Sequence, residues 1–413
     1  MRVALLSYRS KPHCGGQGVY VRHLSRELVA LGHEVEVFSG QPYPELDEGV
    51  GLTAVPGLDL YREPDPFRVP RPSEFRDLVD VEEFLTMCTA GFPEPRTFSR
   101  RVLRELRDRL ADFDVIHDNQ VLGDGILELE RRGFPLVTSI HHPITFDRRI
   151  DLAATTSWRK KLTLRRWYGF LRMQGRVARQ LRRVITVSES SARDIATDFR
   201  VDRDRIRVIP LGVDEGFRPP ARPRVPGRIV AMASADAPMK GIATLLEAFA
   251  KLRTERDVSL VLVSRPVPGG RTEQLVDSLG IQDHVSFVHG ISDAELVDVM
   301  GSAEVACVPS LYEGFSLPTA ELMACATPLV VSRAGAIPEV VGPDGRCADL
   351  VTPGDVGELE QALAALLDDP DRRDRMGRAG RERVLEHFSW RAVAEATAAA
   401  YTEAIEEKKH ADR

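Results

Sequence analysis

Disulfide chemistry has little to work with in this sequence. Its five cysteines, Cys14, Cys88, Cys307, Cys325 and Cys347, are odd in number, far apart and without a C-x-x-C pair. That usage excludes a disulfide framework or clustered zinc site and fits a reducing compartment. Long apolar runs are missing too: none approaches the roughly 18 residues a membrane-spanning helix requires. The stretch after Met1, "RVALLSYRS", is too short for the apolar core of a secretion signal. These absences point to a cytoplasmic protein, with attachment to the inner face of a membrane left open. An excess of positive charge is also lacking. With 56 basic and 62 acidic side chains the net charge is −6, so nothing marks a nucleic-acid binder and any basic footprint is local.

What is present is a chain of 413 residues, 43% hydrophobic and 29% charged. That is the balance of a soluble globular protein, too long for a single core, so two domains are expected. Short runs rich in Val, Ile and Leu alternate with segments of helical period, the pattern of parallel strands joined by crossover helices. "RVALLSY", "EVEVFS", "DVIH", "LVTSI", "RVITVS" and "RVIPLG" form a first series; "RIVAMAS", "SLVLVS", "VSFVHG", "EVACVP" and "PLVVS" form a second. The expected fold class is α/β, two doubly wound, Rossmann-like domains in tandem. The proline-rich stretch 216–227, "GFRPPARPRVPG", reads as a stiff linker. It places the domains at 1–215 and 216–390, followed by a terminal helix at about 391–413. Residues 41–110 interrupt the alternation with an insertion carrying helices near 74–88 and 97–111, read either as an acceptor-binding lid or as a passive elaboration.

Three loops carry chemistry. "CGGQG" joins the first strand to a helix, and its glycines Gly15 and Gly16 let backbone approach an anion at a helix mouth, where unpaired N–H groups and a positive partial charge collect. The third glycine and the acidic ribose ligand of the dinucleotide fingerprint are absent, which disfavours a NAD enzyme; a plain tight turn is the alternative. "ASADAPMKG" places Lys240 at the start of a helix in the second series, either neutralising a diphosphate or solvated. "EGFSLPTAE" puts Glu313 and Glu321 on either side of a loop and helix start, with Pro318 suited to the first helical turn. Backbone N–H groups facing an anion between two hydroxyl-accepting carboxylates describe a sugar nucleotide, with Glu313 toward the sugar and Glu321 toward the ribose. Alternatively, Glu313 is solvated and Glu321 merely favours the helix dipole.

The E-x7-E element, together with "GG", "LGHEVEVF", "DVIH", "VTSIHH", "VITVSES", "VIPLGVD", "PMKG", "GFSLPTAELMACATPLVVS" and "AIPEVV", resembles the retaining glycosyltransferases of family 4, which have the GT-B fold. The motifs run in order from residue 2 to about 390. The resemblance implies two domains facing across a cleft, the second holding a nucleotide sugar, the first an acceptor, and the last helix crossing back to the first. It implies that Glu313 contacts the donor sugar, Glu321 the ribose, and that Gly314, Phe315, Ser316, Leu317 and Lys240 surround the diphosphate, with Gly15 and Gly16 closing on it. His141, Asp118 and Asn119 would face the acceptor, His141 beside the reacting sugar. His141, Lys240 and Glu313 are thus the catalytic candidates. No metal and no cofactor is implied.

One departure stands out. Where the family carries an arginine about five residues before the lysine, this chain has Ser234 and Ala235. Ser234 is kept among the donor contacts, and Arg265, also after a strand, is a candidate replacement. In the family's mechanism the acceptor attacks the face the leaving group vacates, so neither glutamate is a nucleophile. The donor expected is a UDP- or GDP-sugar, and the acceptor a hydroxyl of a lipid-linked, polysaccharide or small glycoside. The D-x-D at Asp202 and Asp204 reads as surface charge.

From Thr145 to Arg183 there are twelve basic and two acidic side chains, with Arg165, Arg172, Arg176, Arg179 and Arg183 at helical spacing beside Leu164, Trp167, Leu171, Ala178 and Leu181. This is either a solvated helix face or a footing on an anionic membrane surface. Two other functions compete: a nucleotide-sugar epimerase of the same architecture, distinguished by turnover without acceptor, and a catalytically silent nucleotide-sugar binder at a membrane.

Overall fold

The computed structural model describes residues 1–11, 16–232 and 236–411. The chain forms two compact units, Met1–Pro210 with Trp390–Arg413, and Leu211–Ser389. The first is built on seven parallel strands: β1 (Arg2–Ser7), β2 (Glu34–Ser39), β3 (Gly51–Ala54), β4 (Val115–Asn119), β5 (Leu136–Ser139), β6 (Val184–Thr186) and β7 (Ile206–Val208), in the order β3-β2-β1-β4-β5-β6-β7. Val3, Ala4, Leu5 and Leu6 of β1 are all buried, because a parallel sheet covered by helices on both faces needs apolar side chains on each.

The second unit repeats the plan with β8 (Arg228–Met232), β9 (Ser259–Val263), β10 (Val285–Val288), β11 (Val305–Val308), β12 (Leu329–Ser332) and β13 (Asp349–Val351), in the order β10-β9-β8-β11-β12-β13. In each sheet the winding direction reverses once, between β1 and β4 and between β8 and β11. In doubly wound sheets the loops leaving the carboxyl ends of the strands on either side of the reversal diverge, and ligands collect between them. Asp118 and Asn119 end β4, while Gly16, Lys240 and the Glu313 loop come after β1, β8 and β11 in the chain.

Eleven of the strands match the apolar runs of the sequence. The other two were silent there. β3 is a short, largely exposed edge strand inside the 41–110 insertion, and β13 has three residues with a single buried one. The same insertion carries helices Leu78–Cys88 and Glu94–Arg107. The proline-rich stretch packs on the second unit: the Arg224 guanidinium donates to the carbonyls of Gly301 (3.1 Å), Ala303 (2.8 Å) and Ala326 (2.7 Å).

The final helix, Trp390–Ala411, returns to the first unit and packs along the Gly16–Ala30 helix and over β4 and β5. Trp390 stacks on His23 at 5.0 Å, and Tyr401 is completely buried. The Thr145–Arg183 stretch breaks into helices Thr145–Ala153, Trp158–Trp167 and Leu171–Ala178. Leu171, Ala178 and Leu181 are buried, with Leu164 and Trp167 packed against that core. Arg176 pairs with Asp124, Arg179 donates to the Phe199 carbonyl and Arg183 pairs with Glu407, so three of the five regularly spaced arginines serve internal contacts. Among the described residues no helix is long and apolar enough to cross a membrane.

Candidate active site

In the second unit the site grows from two loops. After β8 the chain makes a short turn, Pro238–Lys240, and Gly241 then enters the helix Ile242–Leu252 with φ of +65°. A Cβ at Gly241 would lie 1.9 Å from the Pro309 carbonyl oxygen. Both the backbone sign and this approach require glycine after Lys240. The Leu311 N–H donates to the Met239 carbonyl at 2.7 Å, tying this turn to the loop after β11.

Glu313 lies in that second loop, largely buried. Its Oε1 accepts from Lys240 Nζ at 2.8 Å and from Ser310 Oγ at 2.7 Å. Its carbonyl accepts from the Ala336 N–H at 2.9 Å, and Gly335, at φ +52°, passes so close that a Cβ would meet that carbonyl oxygen at 2.2 Å. The structure therefore brings Lys240 and Glu313 together and adds Ser310 and Gly335. Neither of these stood out in sequence, since a serine three residues before a glutamate is unremarkable and Gly335 is one of 31 glycines.

Beyond Gly314, the Phe315 ring packs edge-on against Phe388 at 5.4 Å. Ser316 caps the helix Leu317–Ala324 in the left-handed region, φ 82°, and its Oγ bonds Thr319 Oγ1 at 2.8 Å. A non-glycine residue held there stores strain of about 1–3 kcal/mol, a cost concentrated at ligand clamps. Pro318 occupies the first turn of that helix. Glu321 is one turn further, and burial, reinforced by Asp293 and Asp214, pushes its carboxyl up to about 7. Arg265 stands exposed on the loop after β9. Ser234 lies outside the described residues.

In the first unit, His141 Nε2 faces Asn119 Oδ1 at 2.7 Å, and its backbone N–H donates to Gln120 Oε1 at 2.8 Å. With a carbonyl oxygen as partner, Nε2 carries the proton and Nδ1 the lone pair. Burial, and secondarily His142, pushes this imidazole down to about 3, so it is neutral at physiological pH. Asn119 is fully buried, and its Nδ2 has no partner among the described residues. Asp118 is buried too; its carboxylate accepts from the Val121 and Leu122 N–H groups at 3.1 and 3.2 Å, and burial raises it to about 7. Gly16 opens the Gly16–Ala30 helix, and a Cβ there would meet no atom of the described residues within 4 Å; Gly15 lies outside the described residues.

Behind His141 runs a buried polar chain. The Tyr20 ring meets His141 edge-on at 4.7 Å. Tyr20 OH bonds Ser139 Oγ at 3.0 Å, Ser139 Oγ bonds His117 Nε2 at 2.7 Å, and His117 Nδ1 bonds Tyr401 OH at 2.5 Å. Burial pushes His117 down to about 3. The neutral ring joins the two hydroxyls by donating at one nitrogen and accepting at the other.

These features can be set beside known proteins. The family description "Glycosyltransferase Family 4" matches residues 14–217 and "Glycosyl transferases group 1" matches residues 215–383. An MMP alpha-(1->4)-mannosyltransferase from Mycolicibacterium hassiacum is 61% identical, over 98% of both chains. A D-inositol 3-phosphate glycosyltransferase from Catenulispora acidiphila is 32% identical, over 98% of this chain and 96% of that one. Among solved structures, a sucrose-phosphate synthase from Thermosynechococcus elongatus superposes with a TM-score of 0.73 at 24% identity, covering 97% of this chain and 98% of that one. Anabaena HepE in complex with UDP-glucose superposes with a TM-score of 0.69 at 16% identity, covering 98% and 100%. With two parallel-sheet units, a final helix returned to the first, and a curated relative this similar over its full length, the chain belongs to the family 4 glycosyltransferases and has their GT-B fold.

Proposed function

We propose that this enzyme transfers mannose, with retention and without a metal ion, from a nucleoside-diphosphate donor to O4 of a sugar acceptor. The observation that carries the reading is the Lys240–Glu313–Ser310 cluster at the strained mouth of the Leu317–Ala324 helix. The sugar and linkage come from the name of the 61% identical relative.

The chemistry follows from the groups. The C1–phosphate oxygen bond breaks as a C1–O4 bond forms on the same face, and the acceptor proton passes to the departing phosphate oxygen. Negative charge grows on the diphosphate, where Lys240 and the N–H groups of Gly314, Phe315 and Ser316 stabilise it; each such fixed donor is worth about 2.7–4 kcal/mol where measured. Glu313, oriented by Lys240 and Ser310, accepts hydrogen bonds from the sugar, and Glu321 accepts from the ribose. Arg265 adds positive charge to the leaving group in place of the family's arginine. Gly15, Gly16, Ser234 and Leu317 complete the donor contacts. His141 Nδ1 and the spare Asn119 N–H give a neutral acceptor and a donor for hydroxyls, with Asp118 holding their corner in shape.

The test is a thermal-shift screen against UDP-, GDP-, ADP- and TDP-sugars with Glu321→Ala as control, then product analysis by NMR with EDTA present. A selective shift lost in the variant, followed by an α-(1→4) product from an α-linked donor, is expected. A β-linked product would rule out retention, inactivation by EDTA would rule out metal independence, and turnover of the donor with no acceptor would favour the epimerase.

A further inference from the structure

The mannosyltransferase reading leaves unused a surface hollow of about 490 Å³ in the first unit. Its wall is made by Arg96, Arg165, Arg166, Arg172 and Arg176, with the buried Met173 as part of its floor. Such a volume is within the range of small-molecule sites, and five guanidiniums in one wall is an unusual concentration of charge in a chain whose net charge is negative.

The carboxylates at hand do not neutralise it. Arg176 pairs with Asp124, and Arg96 approaches Glu82 at 3.6 Å, a carboxylate already bonded to Arg100. Arg166 reaches only a hydroxyl, Thr89 Oγ1 at 2.9 Å. Among the described residues the guanidiniums of Arg165 and Arg172 have no ion-pair or hydrogen-bond partner. Arginine stays charged at any physiological pH, and its planar fork of donors matches the oxygens of a phosphate. All five side chains face solvent, which screens their mutual repulsion, and an anion of more than one charge bound among them would exchange that solvent for several charge-assisted hydrogen bonds at once.

Helix geometry sets this wall apart from the His141 corner. Arg172 and Arg176 lie on the outer face of the Leu171–Ala178 helix, while Gln174 on its inner face donates to the carbonyls of Gln120 and Val121. The Lys240–Glu313 cluster belongs to the other unit.

We propose that this arginine-walled hollow is a second anion site, which takes a phosphorylated ligand with at least two negative charges. The same chemistry is offered by a soluble phosphate ester and by a phospholipid headgroup. A lipid source has support in the preceding helix, Trp158–Trp167, which has no buried residue and exposes Trp158 and Leu162.

The test compares the wild-type full chain with Arg165→Ala/Arg172→Ala and with Lys240→Ala, using pyrophosphate titrated by calorimetry and phosphatidylglycerol vesicles in sedimentation. Saturable pyrophosphate binding that is weakened at least about tenfold in the double variant, and retained in Lys240→Ala, is expected. If vesicles do not bind, the ligand is soluble; if they bind through the same two arginines and pyrophosphate displaces them, it is a headgroup. Wild type and double variant binding both probes equally, or only Lys240→Ala losing pyrophosphate, would overturn the site. An unchanged nucleotide-sugar response in the double variant shows that it is folded and separates this result from the fate of the mannosyltransferase reading.

Discussion

Removing one oxygen from Tyr401 tests the buried chain behind His141. In Tyr401→Phe the ring keeps its edge-on contact with His117, centroids 5.6 Å apart, so packing is preserved and only the hydrogen bond to Nδ1 is lost. Both residues have no exposed surface, so water does not replace it. A buried polar atom stripped of its partner costs about 1–3 kcal/mol, whereas replacing both partners with apolar groups is close to neutral. For a unit of roughly 150–250 residues each kcal/mol shifts Tm by about 2–4 °C, so a loss near 2 kcal/mol lowers the first unit's transition by about 4–8 °C. The second unit's transition stays in place, since Tyr401 contributes nothing to its core. Calorimetry resolves the two, and adding His117→Leu recovers part of the loss, since the stranded nitrogen is gone. A Tyr401→Phe transition within about a degree of wild type would show that this hydrogen bond contributes nothing net and refute the reasoning.

Three further outcomes are expected. Lys240→Ala lowers turnover by about 10²–10³ while leaving the fold intact, which steady-state kinetics and circular dichroism together measure. Gly335→Ala forces a Cβ into the Glu313 carbonyl and strains a positive φ, costing about 1–3 kcal/mol in urea unfolding and displacing Glu313, so donor affinity falls as well. Burial pushes Glu94 up to about 8, despite Arg9 at 3.7 Å. The folded state then keeps a proton that the unfolded carboxyl releases near 4.5, so this stabilisation is full below that value and is lost as pH rises through 8. Tm should therefore fall between about pH 5 and 8 and level off above that, and the slope should flatten in Glu94→Gln; an unaltered slope would place the titration elsewhere.

Much of the architecture was legible because parallel strands buried on two faces must be apolar throughout, and both series of such runs stand out from their helices. β3 and β13 were not, since an exposed edge or a three-residue strand carries too few apolar side chains to register. Lys240 and Glu313 were nameable as candidates from their loops, but their pairing across 73 positions is a product of the β8–β11 reversal, which no local pattern encodes. The His117–Tyr401 bond joins residues 284 apart and was invisible for the same reason. The proline-rich stretch held a contact that was equally hidden. Its composition reads as a stiff linker, and Arg224 within it also finds three carbonyls on the second unit, an anchor that composition does not encode.

The return of the final helix has a consequence for how the protein is made. Everything from Leu211 to Ser389 is, in effect, inserted into the first unit, and translation completes that insert while the pocket for Tyr401 still lacks its occupant. The half of the protein synthesised first is thus finished last. Until the helix from Trp390 has been translated, His117 waits at an open seam, and a chain stopped at Ser389 would hold every residue of the second unit but leave the first unable to seal.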